Sequence, residues 1–335
     1  AGCNASQGRA WAILRGSNTG FLTGLPGAGK TWLVARVVEA VVSAGGLVAC
    51  AAPTGKAASV LSQKLQGTYV PTIHRLLGIV PGQSIPAEEV TADLLVVDEM
   101  SMPESELLST LLKAISPHTC VLFSGDPNQL PPVGPGFPWY DLVSELARHP
   151  TRWDGVALAH LDIVERQKVE GSGILALAAA LHRGNASLAP LLGGPGISVR
   201  ALAAGALQEE AVVGYLEGRF AGPHGLQDPV RQVLLLSAVK QQKFEASTFH
   251  LNERISHGLF PTRDLDKCKY ARGDRVMFNV NNRAYGFVNG EMGCMVDWQR
   301  SARRAVIEND IGFKYELADF SLSSYCQWGY ALTVH

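Results

Sequence analysis

Short apolar runs alternate with helix-like stretches over about the first 165 residues of the chain. Four runs, each followed by Gly, Pro or an acidic residue, predict β-strands: GFLTG, GLVACAAP, DLLVVDE and CVLFSGD. Between them, the periodicity of apolar residues predicts helices at 31–44, 56–65 and 103–115. Strands that alternate with helices indicate an α/β fold with a mostly parallel sheet, whose binding sites lie at the carboxyl ends of the strands.

A second α/β half is predicted from about residue 163. It contains the candidate strand QVLLLSA and candidate helices at 174–183, 209–219 and 240–256, with turn-rich segments between them. From 273 to about 321 the pattern changes to short runs separated by turn residues, as in GDRVMFNVN and GEMGCMVDW. This change predicts a small antiparallel barrel inserted into the second half.

The composition is that of a globular protein, with 47% hydrophobic and 18% charged residues among 335. No apolar run is long enough to span a membrane, and the start AGCNASQGRAW lacks the layout of a signal peptide, so a cytoplasmic protein is expected. The six cysteines form no C-x-x-C pair, which favours reduced thiols. A net charge of −1 does not by itself indicate a nucleic-acid partner, although it is compatible with a local basic groove.

The stretch GLPGAGKT at 24–31 matches the phosphate-binding pattern G-x-x-x-x-G-K-[ST]. A predicted strand precedes it and an apolar helix follows. Backbone N–H groups around Gly24, Gly27 and Gly29 would wrap a phosphate at the helix N-terminus. Lys30 would reach the β- and γ-phosphates, and the Thr31 hydroxyl would hold Mg²⁺. The alternative is a Gly-rich turn that matches by chance, and the order of strand, loop and helix argues against it.

Two acidic residues follow the buried run LLVV. Asp98 is predicted to bind the metal of a P-loop NTPase and Glu99 to polarise an attacking water, a pair that favours ATP hydrolysis. A plain helix cap is the alternative. Gln129, in the run SGDPNQLPP after the fourth strand, is an uncharged amide that could sense the γ-phosphate, and an ordinary Pro-rich turn explains that run equally well.

The segment Pro53-Thr54-Gly55-Lys56 ends the second strand at a predicted helix start. A threonine side chain and free backbone N–H groups at that place suit a phosphate, including one in a nucleic-acid backbone. Helix capping by Thr54 is the alternative, and the two roles are compatible.

Some residues leave two interpretations open. Phe137, Trp139 and Tyr140 lie at a predicted helix start and either stack on bases or pack in the core, with core packing favoured. His74 is either a DNA contact or a packing residue. The arginines at 300, 303 and 304 are explained by a solvated turn.

Together these segments resemble superfamily 1 helicases of the RecD-like branch, including RecD-type and phage Dda-type enzymes. GLPGAGKT resembles motif I, AAPTGKAA motif Ia, VVDEMSM motif II and GDPNQLPPVGPG motif III, in the order of the family. Gln7 in NASQGRA resembles the glutamine that contacts adenine, and PTIHRLLG at 71–78 resembles a RecD-type signature beside the DNA path. Arg166 in ERQ resembles the motif IV arginine that reaches the γ-phosphate. NVNNRAYGFVNG at 279–290 is similar to the junction with a small Src-homology-3-type barrel.

The resemblance implies two RecA-like domains at 1–164 and 165–335, with a hairpin called the pin at 79–91 and the small barrel at about 272–321. It implies an ATP-dependent DNA helicase that moves 5′→3′ on single-stranded DNA, with ATP and Mg²⁺ in the cleft between the domains. A passive loop is the alternative for the pin. The residues expected to contact DNA are Pro53, Thr54, Gly55, Lys56, His74, Asn281, Asn282 and His335.

Several expectations about partners and setting follow from the same resemblance. They are duplex junctions as substrates, protein partners in a recombination, repair or phage complex, and a bacterial or phage-like cytoplasm without a membrane. Two other functions fit the motifs: a P-loop ATPase that remodels a protein without moving on DNA, and a vestigial helicase fold that serves as a DNA-binding or assembly module.

The final residues WGYALTVH stop inside the family motif TVH-(K/R)-x-Q-G. They predict a piece of a longer protein, whose second RecA-like domain is truncated. The strand at 330–334 would then lie at an open sheet edge. The alternative is a natural short protein whose partner supplies the missing strands.

Overall fold

A computed structural model of the chain describes residues 2–79, 88–164, 173–182, 197, 206–218, 228–237, 240–241, 243–244, 246–261, 268–282 and 284–333. The packing of the backbone separates two compact units, Ala1–Val199 (unit 1) and Arg200–His335 (unit 2). The division into domains at 1–164 and 165–335 stays a prediction, since residues 165–172 lie outside the described residues.

Unit 1 alternates strands and helices, as its sequence pattern predicts. Its elements are α1 (Ala5–Leu14), β1 (Thr19–Gly24), α2 (Lys30–Ser43), β2 (Val48–Ala51), α3 (Gly55–Lys64), α4 (Ile73–Leu76), β3 (Leu94–Val97), α5 (Ser105–Ala114), β4 (Cys120–Gly125), α6 (Pro138–Arg148), β5 (Val156–Leu161) and α7 (Gly173–His182). In the described part of the unit, five parallel strands form one sheet in the order β2–β3–β4–β1–β5. The predicted α/β fold with a parallel sheet is therefore confirmed, and the structure adds β5 and α1, which the apolar pattern does not indicate.

Both faces of this sheet are covered, which explains why its strands are continuous apolar runs. All four residues of β3 are buried: Leu94 and Val96 face the core with α1, α2 and α3, and Leu95 and Val97 face the core with α4, α5 and α6. With both faces closed, the loops at the carboxyl ends of the strands are the part of the sheet available for chemistry.

Unit 2 contains a second sheet with antiparallel strands. Its elements are α8 (Ala206–Leu216), α9 (Pro229–Gln232), β6 (Leu235–Ser237), α10 (Thr248–Leu259), β7 (Arg275–Phe278), β8 (Met292–Gln299), β9 (Arg304–Asn309), β10 (Lys314–Ala318), α11 (Asp319–Tyr325), β11 (Cys326–Trp328) and β12 (Ala331–Thr333). Among its described residues, five strands pair in the order β10–β9–β8–β7–β11. The sheet lies where a small barrel is predicted, and its likeness to a Src-homology-3 barrel stays a prediction.

Two boundaries predicted in unit 2 are wrong. The antiparallel sheet does not end near 321, because α11 returns the chain to β7 and places Cys326 opposite Phe278. The helix predicted at 240–256 begins at Thr248, where the Ser247 hydroxyl accepts a hydrogen bond from His250 N and caps it. Pairing and capping of this kind are not visible in apolar periodicity.

A buried carboxylate joins the antiparallel sheet to the rest of unit 2. Asp274 accepts hydrogen bonds from Ser256 Oγ (2.6 Å) on α10, from Tyr330 Oη (2.7 Å) and from Trp328 Nε1 (3.2 Å). Tyr330 leads directly into β12, which pairs in parallel with β6 and packs near α10. The strand at the end of the described chain is thus held by β6 and by the Asp274 network.

No helix in the described ranges has the length and apolar character needed to cross a membrane.

Residues 80–87 of the predicted pin lie outside the described residues. On either side of them, Glu88 N donates a hydrogen bond to Leu77 O (3.0 Å). The pin's role in strand separation stays a prediction.

Candidate nucleotide and nucleic-acid sites

A glycine-rich loop joins the carboxyl end of β1 to the start of α2. Gly29 is the N-cap of α2 with φ +88°, and no side chain caps the helix. A Cβ at Gly29 would lie 2.4 Å from Nε2 of Gln7, and one at Gly24 would lie 2.8 Å from Leu161 O. Glycine is therefore strongly favoured at both ends of the loop. The first N–H groups of α2 point out of the helix with the positive end of its dipole, which suits an anion.

Lys30 is buried in the loop that precedes it. Its Nζ donates to Gly24 O (2.7 Å) and to Leu25 O (3.3 Å). A buried ammonium needs acceptors of this kind, because an unpaired charge is costly to remove from water. Phosphate oxygens at the same place would be stronger acceptors than neutral carbonyls.

The structure brings Thr31 and Asp98 together from distant parts of the sequence. Thr31 Oγ1, in the first turn of α2, donates to Asp98 Oδ2 (3.2 Å), which follows β3. Hydroxyl and carboxylate oxygens are ligands that suit Mg²⁺, which usually takes few protein ligands and completes its shell with phosphate and water. In the described residues, no group of three or more His, Cys, Asp or Glu side chains could hold a metal by itself.

Glu99 has an unusual backbone. Its φ is +58°, a left-handed conformation that is uncommon for a residue with a side chain, and its N–H donates to Asp98 Oδ1 (3.0 Å). Such outliers concentrate at functional sites.

Burial, followed by the charge of Asp98, raises the pKa of the nearby Cys50 thiol to about 12, so this thiol stays neutral beside the carboxylate.

Gln129 is exposed on the loop after β4. Ser101 Oγ lies 3.5 Å from Gln129 Oε1, a long contact that links this loop to the turn after Asp98. Asp126 orders the loop: its Oδ1 accepts from Asn128 N (2.9 Å), while its buried Oδ2 has no partner among the described residues. Sequence reasoning missed Ser101 and Asp126, although both lie inside the motifs it identified.

The three aromatic residues at the start of α6 have different roles. Trp139 is buried and stacks on Phe21, with ring centroids 5.7 Å apart, so the favoured core interpretation is right for this residue. Phe137 and Tyr140 are more than half exposed and are not core residues. They line a cavity of about 510 Å³ together with Ser101 and Gln129.

Gln7 lies at the start of α1, next to the glycine-rich loop. It forms a capping box with Asn4: Gln7 N donates to Asn4 Oδ1 (2.8 Å), and Asn4 N donates to Gln7 Oε1 (3.1 Å). The same buried amide reaches Gly29 with its Nε2. The residue predicted to contact adenine therefore also fixes the entry to α1.

The predicted DNA contacts of unit 1 lie at the carboxyl end of β2. Thr54 caps α3 by accepting from Ala57 N (3.2 Å), and Lys56 is exposed. A backbone bridge joins this segment to PTIHRLLG, because Ile73 N donates to Ala52 O (2.9 Å). His74 is exposed, so the packing interpretation is wrong for it.

The predicted contacts of unit 2 organise a loop. Asn281 Oδ1 accepts from Asn289 N (2.8 Å), and Asn282 Oδ1 accepts from the N–H groups of Ala284 (3.0 Å) and Tyr285 (3.2 Å). These side-chain oxygens accept hydrogen bonds within the loop. The predicted contact with DNA would therefore be made by the amide N–H₂ groups of Asn281 and Asn282. Arg166 and His335 lie outside the described residues.

The turn interpretation fits Arg300 and Arg303, whereas Arg304 is the first residue of β9. Arg303 pairs with Asp319 (2.5 Å) and Arg304 with Glu316 (3.5 Å). Both arginine side chains are mostly exposed. Exposed pairs of this kind contribute little to stability.

Comparison with known proteins identifies the family to which the chain belongs. Residues 2–192 match the family described as an AAA domain. The chain is 31% identical over 340 residues to the ATP-dependent RecD2 DNA helicase of Deinococcus radiodurans, an alignment that covers all of this chain and 43% of the relative. The chain belongs to this AAA family, and it is similar to helicases of the RecD-like branch of superfamily 1.

Other relatives match shorter regions. The RecBCD enzyme subunit RecD of Mycolicibacterium smegmatis is 35% identical over 195 residues, which cover 50% of this chain and 33% of the relative. The helicase Dda of Enterobacteria phage T4 is 36% identical over 125 residues, which cover 34% of this chain and 28% of the relative. The chain thus spans less than half the length of these relatives.

A solved structure supports the fold. The crystal structure of Bacteroides Pif1 bound to single-stranded DNA aligns with 99% of this chain and 82% of its own, with a TM-score of 0.56 and 17% identity. At that identity the likeness concerns the fold alone.

Proposed function

We propose that this chain is the motor part of an ATP-dependent DNA helicase that moves 5′→3′ on single-stranded DNA. The observation that carries the proposal is the group of Lys30, Thr31 and Asp98 at the carboxyl edge of a parallel sheet, beside an uncapped helix N-terminus. DNA as the substrate is supported by the RecD2 and Dda relatives, which are DNA helicases. The direction of movement rests on the resemblance alone.

Nucleotide binding would use contacts that the loop now makes with itself. The Lys30 ammonium would exchange the carbonyls of Gly24 and Leu25 for β- and γ-phosphate oxygens. Backbone N–H groups at the start of α2 and around Gly27 would bind the same phosphates. Gln7, which lies against Gly29, would contact adenine. ATP is supported as the nucleotide by the Pif1 structure determined with ADP-AlF3, whose fold is similar.

Hydrolysis would need one metal ion and a positioned water. Thr31 and Asp98 would hold Mg²⁺, which would neutralise phosphate charge. Glu99 would accept a proton from the attacking water, and Gln129 would donate a hydrogen bond to the γ-phosphate. Arg166, from a second RecA-like domain at 165–335, would stabilise the charge that develops, so hydrolysis would depend on closure of the domains.

Single-stranded DNA would be held mainly through its phosphates. In unit 1 the proposed contacts are the segment 53–56 and His74, and elsewhere they are Asn281, Asn282 and His335. A pin at 79–91 would meet the duplex junction. Protein partners in recombination or repair are part of the proposal, supported by the RecD relatives, which are subunits of RecBCD enzymes.

ATP turnover with and without single-stranded DNA tests the proposal. We expect slow hydrolysis that single-stranded DNA accelerates, and unwinding of duplexes with a 5′ tail but not of duplexes with a 3′ tail. Hydrolysis that does not respond to DNA would favour a protein-remodelling ATPase. Unwinding of only the 3′-tailed duplex would refute the direction.

A further inference from the structure

An exposed tyrosine forms a cation–π contact with an arginine near the proposed DNA path. Tyr69 is 61% exposed, and the guanidinium carbon of Arg75 lies 5.2 Å from its ring centroid. The position is cation–π geometry. A large aromatic ring that remains this exposed contributes little to the core, which leaves its face available to a ligand.

The pair is fixed to the carboxyl end of β2. Val70 is buried, and the next residue, Pro71, accepts a backbone hydrogen bond from Ala52 N (3.3 Å). Arg75 is on α4, whose first residue, Ile73, donates to Ala52 O. Each member of the pair is therefore two residues from a backbone contact with Ala52, which directly precedes the segment 53–56 where DNA phosphates are proposed to bind.

Hydrogen bonds hold the loop that presents Tyr69. Ser62 Oγ, on α3, donates to Thr68 O (2.7 Å), and Thr68 Oγ1 donates to Leu65 O (2.8 Å). A ring on an ordered loop loses little conformational entropy when a ligand stacks on it.

Many surface arginines of this protein form an ion pair with a carboxylate. Among the described residues, no carboxylate forms an ion pair with Arg75. A second arginine–aromatic pair differs in this respect: Arg152 lies 5.1 Å from the ring of Trp153 and also pairs with Glu145 (2.6 Å). An aromatic face next to a cation without an acidic partner is the combination that binds single-stranded nucleic acid without sequence preference.

We propose that Tyr69 is a stacking platform for an unpaired base of the bound strand, and that Arg75 orients its ring and contacts an adjacent phosphate. This inference rests on the proposed function. It assigns base contact to a residue that the motifs do not include.

Binding of a labelled oligothymidylate to the 335-residue chain tests the stacking role. Because stacking of one base on an aromatic side chain is worth a measurable factor, Tyr69→Ala should weaken binding roughly 5- to 150-fold. Tyr69→Phe keeps the ring and should bind like the parent. Trp153→Ala is the matched control, because Trp153 is 47% exposed under Arg152 but precedes β5, at the amino ends of the strands.

An abasic oligonucleotide of the same length separates stacking from charge. The parent should bind the abasic strand more weakly than oligothymidylate. Tyr69→Ala has already lost the stacking contact, so its affinity should differ less between the two strands, by the same factor that the substitution costs on oligothymidylate. Arg75→Gln should lower the slope of log affinity against log salt by about 0.7, the value for one phosphate contact on a single strand.

The outcomes separate this inference from the function beneath it. Failure of the parent chain to bind single-stranded DNA would overturn both. Binding by the parent and equally by Tyr69→Ala, with thermal unfolding unchanged, would overturn the stacking role and leave the proposed function standing. Equal losses in Tyr69→Phe and Tyr69→Ala would mean that the hydroxyl and not the ring matters, which also contradicts the proposal.

Discussion

Replacing Gly29 by alanine tests whether the glycine-rich loop and α1 form one structural unit. The new Cβ would lie 2.4 Å from Nε2 of Gln7, which is closer than real Cβ contacts occur. The collision is with the far end of a side chain, so Gln7 can move away. Its Oε1 would then lose the hydrogen bond from Asn4 N, one half of the capping box at the start of α1.

Two costs combine in this variant. An alanine at the φ of +88° seen at Gly29 costs about 1–2 kcal/mol, because its Cβ crowds the following carbonyl. Loss of the Gln7 contact and its cap costs about 1 kcal/mol more. We therefore expect Gly29→Ala to lower the free energy of unfolding by about 2–3 kcal/mol. In a Gln7→Ala background only the backbone cost should remain, which leaves a coupling of about 1 kcal/mol between the two positions.

Denaturant unfolding of the parent, both single variants and the double variant measures this coupling. Gly45→Ala is the matched control, because Gly45 has a φ of +86° and nothing within 4 Å of an added Cβ, so it isolates the backbone cost. The reasoning is refuted if Gly29→Ala costs no more than Gly45→Ala, or if its cost is the same with and without Gln7. Nucleotide affinity measured in parallel should fall only in the variants that change Gly29 or Gln7.

Three further substitutions test other contacts. Lys30→Ala should abolish ATP hydrolysis while thermal unfolding stays near that of the parent, since the ammonium meets phosphate; turnover at the parental rate would remove Lys30 from the site. Glu99→Gln should keep ATP binding and lose turnover, and a collapse of nucleotide affinity would instead indicate a structural role. Tyr330→Phe should lower the free energy of unfolding by about 1–3 kcal/mol, because the hydroxyl serves both Asp274 Oδ1 and Arg275 N inside the protein; an unchanged denaturation curve would contradict this.

The parallel α/β character of unit 1 and the position of its glycine-rich loop follow from the amino-acid sequence alone. Both signals are local. A strand buried on two faces is an unbroken apolar run such as LLVV, and the loop pattern is contained in eight consecutive residues, 24–31. The adjacent pair Asp98 and Glu99 was visible for the same reason, because it directly follows such a run.

Which distant residues meet depends on the three-dimensional fold. Thr31 Oγ1 reaches Asp98 because β1 and β3 end at the same edge of the sheet, and Gln7 reaches Gly29 because α1 packs beside the loop. The place of β11 beside β7 and the left-handed backbone of Glu99 also depend on contacts that no window of sequence contains. Tyr69 shows the limit most clearly: the letters TYV do not distinguish a core tyrosine from an exposed one, and its exposure follows from Val70 being buried while Arg75 returns across its ring on α4.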